Sequence, residues 1–103
     1  MKKRSVVVTT GTRADYGILR PILDEIKNSK KLDLKLIVTG SHFLKEYGMT
    51  VNQIKKDGYQ ITAKIPIIPK TDSKLELTKI LGESIIEFSK IFEKLKPDIN
   101  VIF

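Results

Sequence analysis

Near its start the chain reads Val6-Val7-Val8-Thr9-Thr10-Gly11-Thr12-Arg13-Ala14-Asp15-Tyr16-Gly17. The β-branched run has no polar alternation, which predicts a strand buried on both faces, and Gly11 ends it with a tight turn. Beyond the turn, apolar residues recur at spacings of one, three and four, which predicts a helix with one apolar face. They are Ile18, Leu19, Ile22, Leu23 and Ile26. We expect Asp15 to cap this helix and Pro21 to bend it.

The rest of the chain repeats this alternation of strand and helix. Further strands are predicted over residues 34–38, 61–65 and 99–103. Three helices are predicted between these strands. The first is a short piece over residues 41–47, and the second is capped by Thr50 and runs through Lys56. The third is a long amphipathic helix over residues 77–95. This order predicts an α/β fold, in which a Rossmann-like parallel sheet carries helices on both faces and its strands lie in the order 3-2-1-4.

The composition is that of an ordinary globular protein, and it excludes several kinds of site. With no cysteine and one histidine, His42, the chain of 103 residues offers neither a thiolate-ligated nor a histidine-rich metal site. The net charge of +7 comes mostly from dispersed lysines, which argues against a nucleic-acid binder. No stretch approaches the roughly 18 apolar residues of a membrane span, and the start lacks a signal-peptide pattern. We therefore expect a cytoplasmic protein without a membrane partner.

Two loops are candidates for a ligand site, because ligands bind such sheets beyond the carboxyl ends of the strands. In the loop at residues 11–17, the helix start offers free N–H groups and Arg13 offers a bidentate contact to a diphosphate. The alternative is an ordinary turn with a solvated Arg13, since neither G-x-G-x-x-G nor G-x-x-x-x-G-K-[ST] occurs. In the loop at residues 40–48, His42 either binds a substrate hydroxyl or transfers a proton, or it orders the loop through a nearby carbonyl.

The long helix offers no convincing pair of catalytic carboxylates. Its apolar stripe is expected to be core, and its glutamates share the helix with lysines on a solvated face. Glu83 and Glu87 are expected to pair with Lys79 and Lys90. Because a parallel sheet needs cover on both faces and no helix follows the last strand, we expect the chain to be the front piece of a larger protein.

The run at residues 11–23 resembles the opening motif of the hydrolysing UDP-N-acetylglucosamine 2-epimerases, which begin the synthesis of sialic acid and related nonulosonates. Three further segments agree in order and spacing: Val-Thr-Gly-Ser-His at 38–42, Glu-Tyr-Gly at 46–48 with Thr50 and Ile54 following, and Leu-Lys-Pro-Asp at 95–98. The first motif is specific, because non-hydrolysing relatives typically continue with Pro-Glu where this chain has Ala14-Asp15. The resemblance covers essentially the whole chain.

The resemblance implies a glycosyltransferase-B-like fold, in which two Rossmann-like domains close on a UDP-sugar. Residues 1–103 would be the N-terminal portion of the first domain, with the second domain absent. Enzymes of this family remove the proton at C2, eliminate UDP and add water to the glycal, which gives free N-acetylmannosamine and UDP. We expect no cofactor and no metal, and a homo-oligomer when the protein is full length.

The resemblance also implies roles for residues of this chain. Arg13 would contact the UDP diphosphate, and the backbone from Thr12 to Gly17 would border the same ligand. Asp15 would cap the helix or orient Arg13, and His42 would line the sugar side. No residue here matches a catalytic carboxylate of the family.

The catalytic machinery would lie beyond residue 103. In the family, the strand that matches residues 99–103 is followed by a Gly-Asp-Arg loop whose acidic residue takes part in catalysis. We therefore expect this piece alone to be inactive. Two alternatives stay open: a small stand-alone nucleotide-binding or regulatory module with an epimerase-like fold, and a 2-epimerase that acts on a UDP-diacetamido-trideoxy sugar.

Overall fold

Strands and helices alternate along the chain in the predicted order. The computed structural model describes residues 3–44, 48–66 and 73–102. Its elements are β1 (Arg4–Thr10), α1 (Arg13–Asn28), β2 (Leu32–Thr39), a 3₁₀ turn (Gly40–Phe43), α2 (Val51–Lys56), β3 (Ile61–Ile65), α3 (Lys74–Leu95) and β4 (Ile99–Val101). The short helical piece predicted over residues 41–47 is the 3₁₀ turn as far as Phe43, and residues 45–47 lie outside the described part.

The four strands form one parallel sheet in the order β3-β2-β1-β4. This confirms the predicted fold class and strand order. Thr10 at the end of β1 is in register with Val38 near the end of β2. The loops that follow these two strands therefore leave the same edge of the sheet side by side.

Helices cover both faces of the sheet, as predicted. Successive side chains of a strand point to opposite faces, so Val6 and Val8 pack in the cluster formed with α1 and α2. Val7 points the other way and packs with Ile37 and Ile65 against the apolar residues of α3. Val7 and Val8 have no exposed surface, which is the burial on both faces that their β-branched run predicts.

The apolar stripe of α3 is core over only part of its length, so the prediction that the whole stripe is buried is wrong. Phe88, Phe92 and Leu95 pack against the buried residues of the sheet. The same stripe continues toward the start of the helix, where Leu77 and Leu81 are exposed. The reason is that α3 has 22 residues and is about 33 Å long, whereas the five residues of β3, on which it packs, span about 17 Å, so the start of the helix extends past the sheet.

The start of α1 differs from the prediction by one turn. Thr12 is the N-cap, and its Oγ1 accepts a hydrogen bond from the Asp15 backbone N–H at 3.1 Å. The prediction that Asp15 is the cap is therefore wrong, because the helix already begins at Arg13 and Asp15 lies in its first turn, where its N–H is the donor to the cap. Pro21 lies inside the helix, which continues through it to Asn28.

Polar contacts differ in what they do for the remaining elements. Asp98 accepts a hydrogen bond from the Ser5 backbone N–H at 2.8 Å and donates its own backbone N–H to the Ser5 carbonyl at 3.0 Å, which anchors the start of β4 on β1. On α3, Lys90 pairs with Glu87 at 3.4 Å, as predicted, whereas the predicted pair of Glu83 with Lys79 does not occur among the ion pairs of the described residues. Thr50 stands at the N-cap position of α2, but its side chain makes no capping bond.

Candidate functional site

The two loops at the carboxyl edge of the sheet are joined directly. The Gly11 carbonyl accepts hydrogen bonds from the Ser41 backbone N–H at 2.9 Å and from the Ser41 hydroxyl at 3.2 Å. Gly40 has φ +66°, and a Cβ placed on it would lie 2.6 Å from the Gly11 carbonyl oxygen. This close approach therefore needs glycine at position 40 for its backbone angle and for the space.

His42 ties the second loop to the start of α2. It has no exposed surface. Its Nε2 lies 2.9 Å from the Thr10 Oγ1, and its Nδ1 lies 2.5 Å from the Thr50 Oγ1. The ring thus links β1, the 3₁₀ turn and α2, which explains why Thr50 does not cap its own helix. In this arrangement His42 orders the loop through two hydroxyls rather than a carbonyl, and its contact with a sugar stays a prediction.

Lowering the pH is expected to reduce the contribution of His42 to stability. Burial lowers the pKa of His42, against a smaller opposing effect of Asp15, so the unfolded chain takes up the proton more readily than the folded one. Stability therefore falls as the pH drops below about 6.5, the ordinary pKa of histidine. We expect His42→Gln to lower the thermal unfolding midpoint at about pH 7.5, and to lower it less at about pH 5.5. A difference that grows on acidification would show that the folded state favours the charged ring.

The predicted ligand-binding residues of the first loop fall into two groups. Arg13 and Gly17 are exposed, lie one turn apart on α1 and line the same cavity. Thr12 and Asp15 contribute to the helix start instead, the first as its cap and the second as the acidic residue of the first turn. A negative side chain there is favourable, because the helix N-terminus carries a partial positive charge.

The cavity is a groove of about 550 Å³ between α1 and α2. Its lining residues are Arg13, Tyr16, Gly17, Arg20, Gly48, Met49, Thr50, Asn52, Gln53, Lys56 and Asp57. Three of them are cationic and one is acidic, so the groove favours an anionic ligand. Gly17 leaves its part of the wall open, since a Cβ placed there would meet nothing within 4 Å.

The sequence interpretation missed the polar contacts around Asp57. They lie at the Arg20 end of the groove, which we call the far end. The Tyr16 hydroxyl donates to the Asp57 Oδ2 at 2.5 Å, and Arg20 Nη1 lies 3.3 Å from the same oxygen. Burial, and then the hydrogen bond to Asp57, raise the pKa of Tyr16. The sequence did hold a signal: Asp57 follows α2, where the helix dipole disfavours a negative charge, and such a residue needs donors from elsewhere.

The described residues contain no group of three or more histidine, aspartate and glutamate side chains that would hold a metal ion. Among the same residues, no helix is long and apolar enough to cross a membrane.

Comparison with known proteins identifies the family. Residues 24–103 match the family model described as UDP-N-acetylglucosamine 2-epimerase. A Campylobacter jejuni protein named GDP/UDP-N,N'-diacetylbacillosamine 2-epimerase (hydrolyzing) is 42% identical over 99% of this chain. A Legionella pneumophila UDP-N,N'-diacetylbacillosamine 2-epimerase (hydrolyzing) is 38% identical over 96% of it, and a Neisseria meningitidis UDP-N-acetylglucosamine 2-epimerase is 34% identical over 96%. The chain spans 26% of the length of each of these relatives.

Comparison with solved structures supports the fold. A crystal structure of UDP-N-acetylglucosamine 2-epimerase superposes with a TM-score of 0.79 over 99% of this chain and 26% of that chain, at 22% identity. That likeness supports the fold assignment, and the family match over residues 24–103 supports the membership. The chain belongs to the UDP-N-acetylglucosamine 2-epimerase family.

Proposed function

We propose that this chain forms the N-terminal part of a hydrolysing 2-epimerase, which converts a UDP-linked 2-acetamido sugar to the free C2-epimeric sugar and UDP. The observation that carries the proposal is the direct joining of the two loops beyond β1 and β2, with Arg13 exposed beside them at the start of α1. Ligands of parallel α/β sheets bind at this edge. The hydrolysing relatives in the comparisons supply the reaction type.

Arg13 would assist departure of the leaving group. As the bond between C1 and the phosphate oxygen breaks, negative charge grows on the diphosphate. A guanidinium and a helix N-terminus stabilise that charge where it develops. Thr12 fixes the helix start through its cap, so the N–H groups of the first turn have a defined direction. Asp15 and Gly17 would border the same ligand, and His42 would hold the second loop in place.

Two sugars are candidates. UDP-N-acetylglucosamine follows from the family, and the product would be free N-acetylmannosamine, a precursor of sialic acid. A UDP-linked diacetamido-trideoxy sugar is the second candidate. It is favoured because the two relatives named as diacetylbacillosamine enzymes are 42% and 38% identical, against 34% for the relative named for N-acetylglucosamine. We expect the second sugar to be the better substrate.

The test uses the complete gene product that contains this chain. We expect it to release UDP and free sugar from at least one of the two substrates, with the higher kcat/KM on the diacetamido-trideoxy sugar. A coupled assay for UDP and chromatography of the free sugar measure both products. If UDP is released from neither of the two substrates, the proposal is contradicted.

The purified 103-residue chain is the matched control. We expect it to release no UDP above background, because Asp57 is the one carboxylate among the described residues that line the groove, and Tyr16, Gln53 and Arg20 already occupy its oxygens. Turnover by this chain alone would show that the catalytic groups lie within it, and the assignment of catalysis to residues beyond 103 would then be wrong.

A further inference from the structure

The groove between α1 and α2 extends beyond the residues proposed to bind UDP. Arg13 and Arg20 lie on one face of α1, seven residues and therefore about 10 Å apart along the helix axis. At the far end, Arg20 from α1 lines the groove together with Asn52 and Lys56 from α2. None of these three side chains has a part in the proposed reaction.

Arg20 is held in place from within the protein. Its Nη1 lies 3.3 Å from the Asp57 Oδ2, and the side chain of Arg20 is 48% exposed against 10% for that of Asp57. The carboxylate therefore lies inside and the guanidinium outside. A hydrogen bond with Tyr59, and next the charge of Asp57, raise the pKa of Arg20. A guanidinium fixed in this way keeps further N–H donors for a ligand.

Asp57 already has its hydrogen-bond partners, and the charge of Lys56 acts on it only from beyond ion-pair distance. The Tyr16 hydroxyl donates to its Oδ2 at 2.5 Å, and the Gln53 amide donates to its Oδ1 at 2.8 Å. With Arg20, these donors satisfy both carboxylate oxygens. Among the described residues, no carboxylate lies within ion-pair distance of Lys56. The groove thus carries a cation from each of two helices, and the Asn52 amide lies one turn before Lys56 on the same face of α2.

We propose that this far end of the groove, at Arg20, Asn52 and Lys56, binds a phosphate group of a small molecule at the same time as UDP occupies the Arg13 end. Two cations and an amide N–H from separate helices match the charge and the several acceptor oxygens of a phosphate dianion better than those of a carboxylate. The inference rests on the proposed function only in placing UDP at the Arg13 end.

The test is a calorimetric titration of the complete gene product with inorganic phosphate, in the presence of saturating UDP. We expect one further phosphate to bind per chain. Lys56→Gln should weaken this binding roughly tenfold, the effect of losing one charge-assisted hydrogen bond. Lys30→Gln, which removes the same charge from an exposed position outside the groove, should leave it unchanged.

Three results would overturn the inference. Phosphate that binds only by displacing UDP would place it at the Arg13 end. Equal phosphate affinities in the Lys56→Gln and Lys30→Gln variants would show that phosphate binds outside the groove. Acetate that binds as tightly as phosphate would show a site for a monoanion. If UDP itself does not bind, the proposed function fails, and titration of the same two variants with phosphate alone still decides whether the groove is a site.

Discussion

Replacing Gly40 with alanine is expected to lower the free energy of unfolding by about 2–4 kcal/mol. The backbone of Gly40 has φ +66°, where a side chain is strained, and the new Cβ would lie 2.6 Å from the Gly11 carbonyl oxygen. That oxygen is backbone and accepts two hydrogen bonds from Ser41, so it has no free direction in which to move. Urea denaturation of the complete gene product measures the change.

Gly82→Ala is the matched control. Gly82 lies within α3, and a Cβ placed on it would meet nothing within 4 Å. Because alanine favours helix over glycine, this variant should be more stable by about 0.5–1 kcal/mol. Equal stabilities of the two variants would contradict the close approach of the two loops. A destabilised Gly40→Ala variant that keeps full affinity for UDP would show that the joined loops are not part of the nucleotide site.

Replacing Arg13 with alanine is expected to weaken UDP binding by about 10- to 100-fold, the loss of one or two charge-assisted hydrogen bonds. The value of kcat should fall as well, since the guanidinium would stabilise charge that grows on the leaving diphosphate. Stability should stay nearly unchanged because Arg13 is exposed. Calorimetric titration with UDP and steady-state kinetics of the complete gene product give the two effects separately.

Arg4→Ala serves as the control, since Arg4 is exposed at the opposite end of β1. It removes the same charge and should leave UDP affinity unchanged. Equal losses in the Arg4 and Arg13 variants would indicate only a general effect of net charge. Unchanged affinity in the Arg13→Ala variant would remove Arg13 from the nucleotide site.

The strands could be predicted because the patterns that define them are local, and their order followed from the usual arrangement of a Rossmann-like sheet. The run at Val6–Val8 is β-branched without polar alternation, and the structure buries it between helices on both faces. The cap of α1 was predicted wrongly because Thr12 and Asp15 are both good capping residues. Only the backbone geometry shows that Thr12 accepts the bond.

The far end of the groove could not be predicted, because its contacts join residues distant in sequence. Tyr16 and Asp57 are 41 residues apart, and no local periodicity brings them together. Similarly, the sequence offered three roles for His42 without deciding among them, since its partners Thr10 and Thr50 come from two other segments. The apolar stripe of α3 predicts which face of the helix is apolar. It does not predict how much of that face the sheet covers.

The most direct test of the proposed reaction is to run it in deuterium oxide with the complete gene product and to examine the free sugar by proton NMR. Loss of the C2 proton followed by addition of water to the glycal predicts deuterium at C2 and inverted configuration there. UDP should be released in equal amount. A free sugar that keeps its C2 proton and its original configuration would contradict the elimination. It would show that the enzyme only hydrolyses the sugar nucleotide.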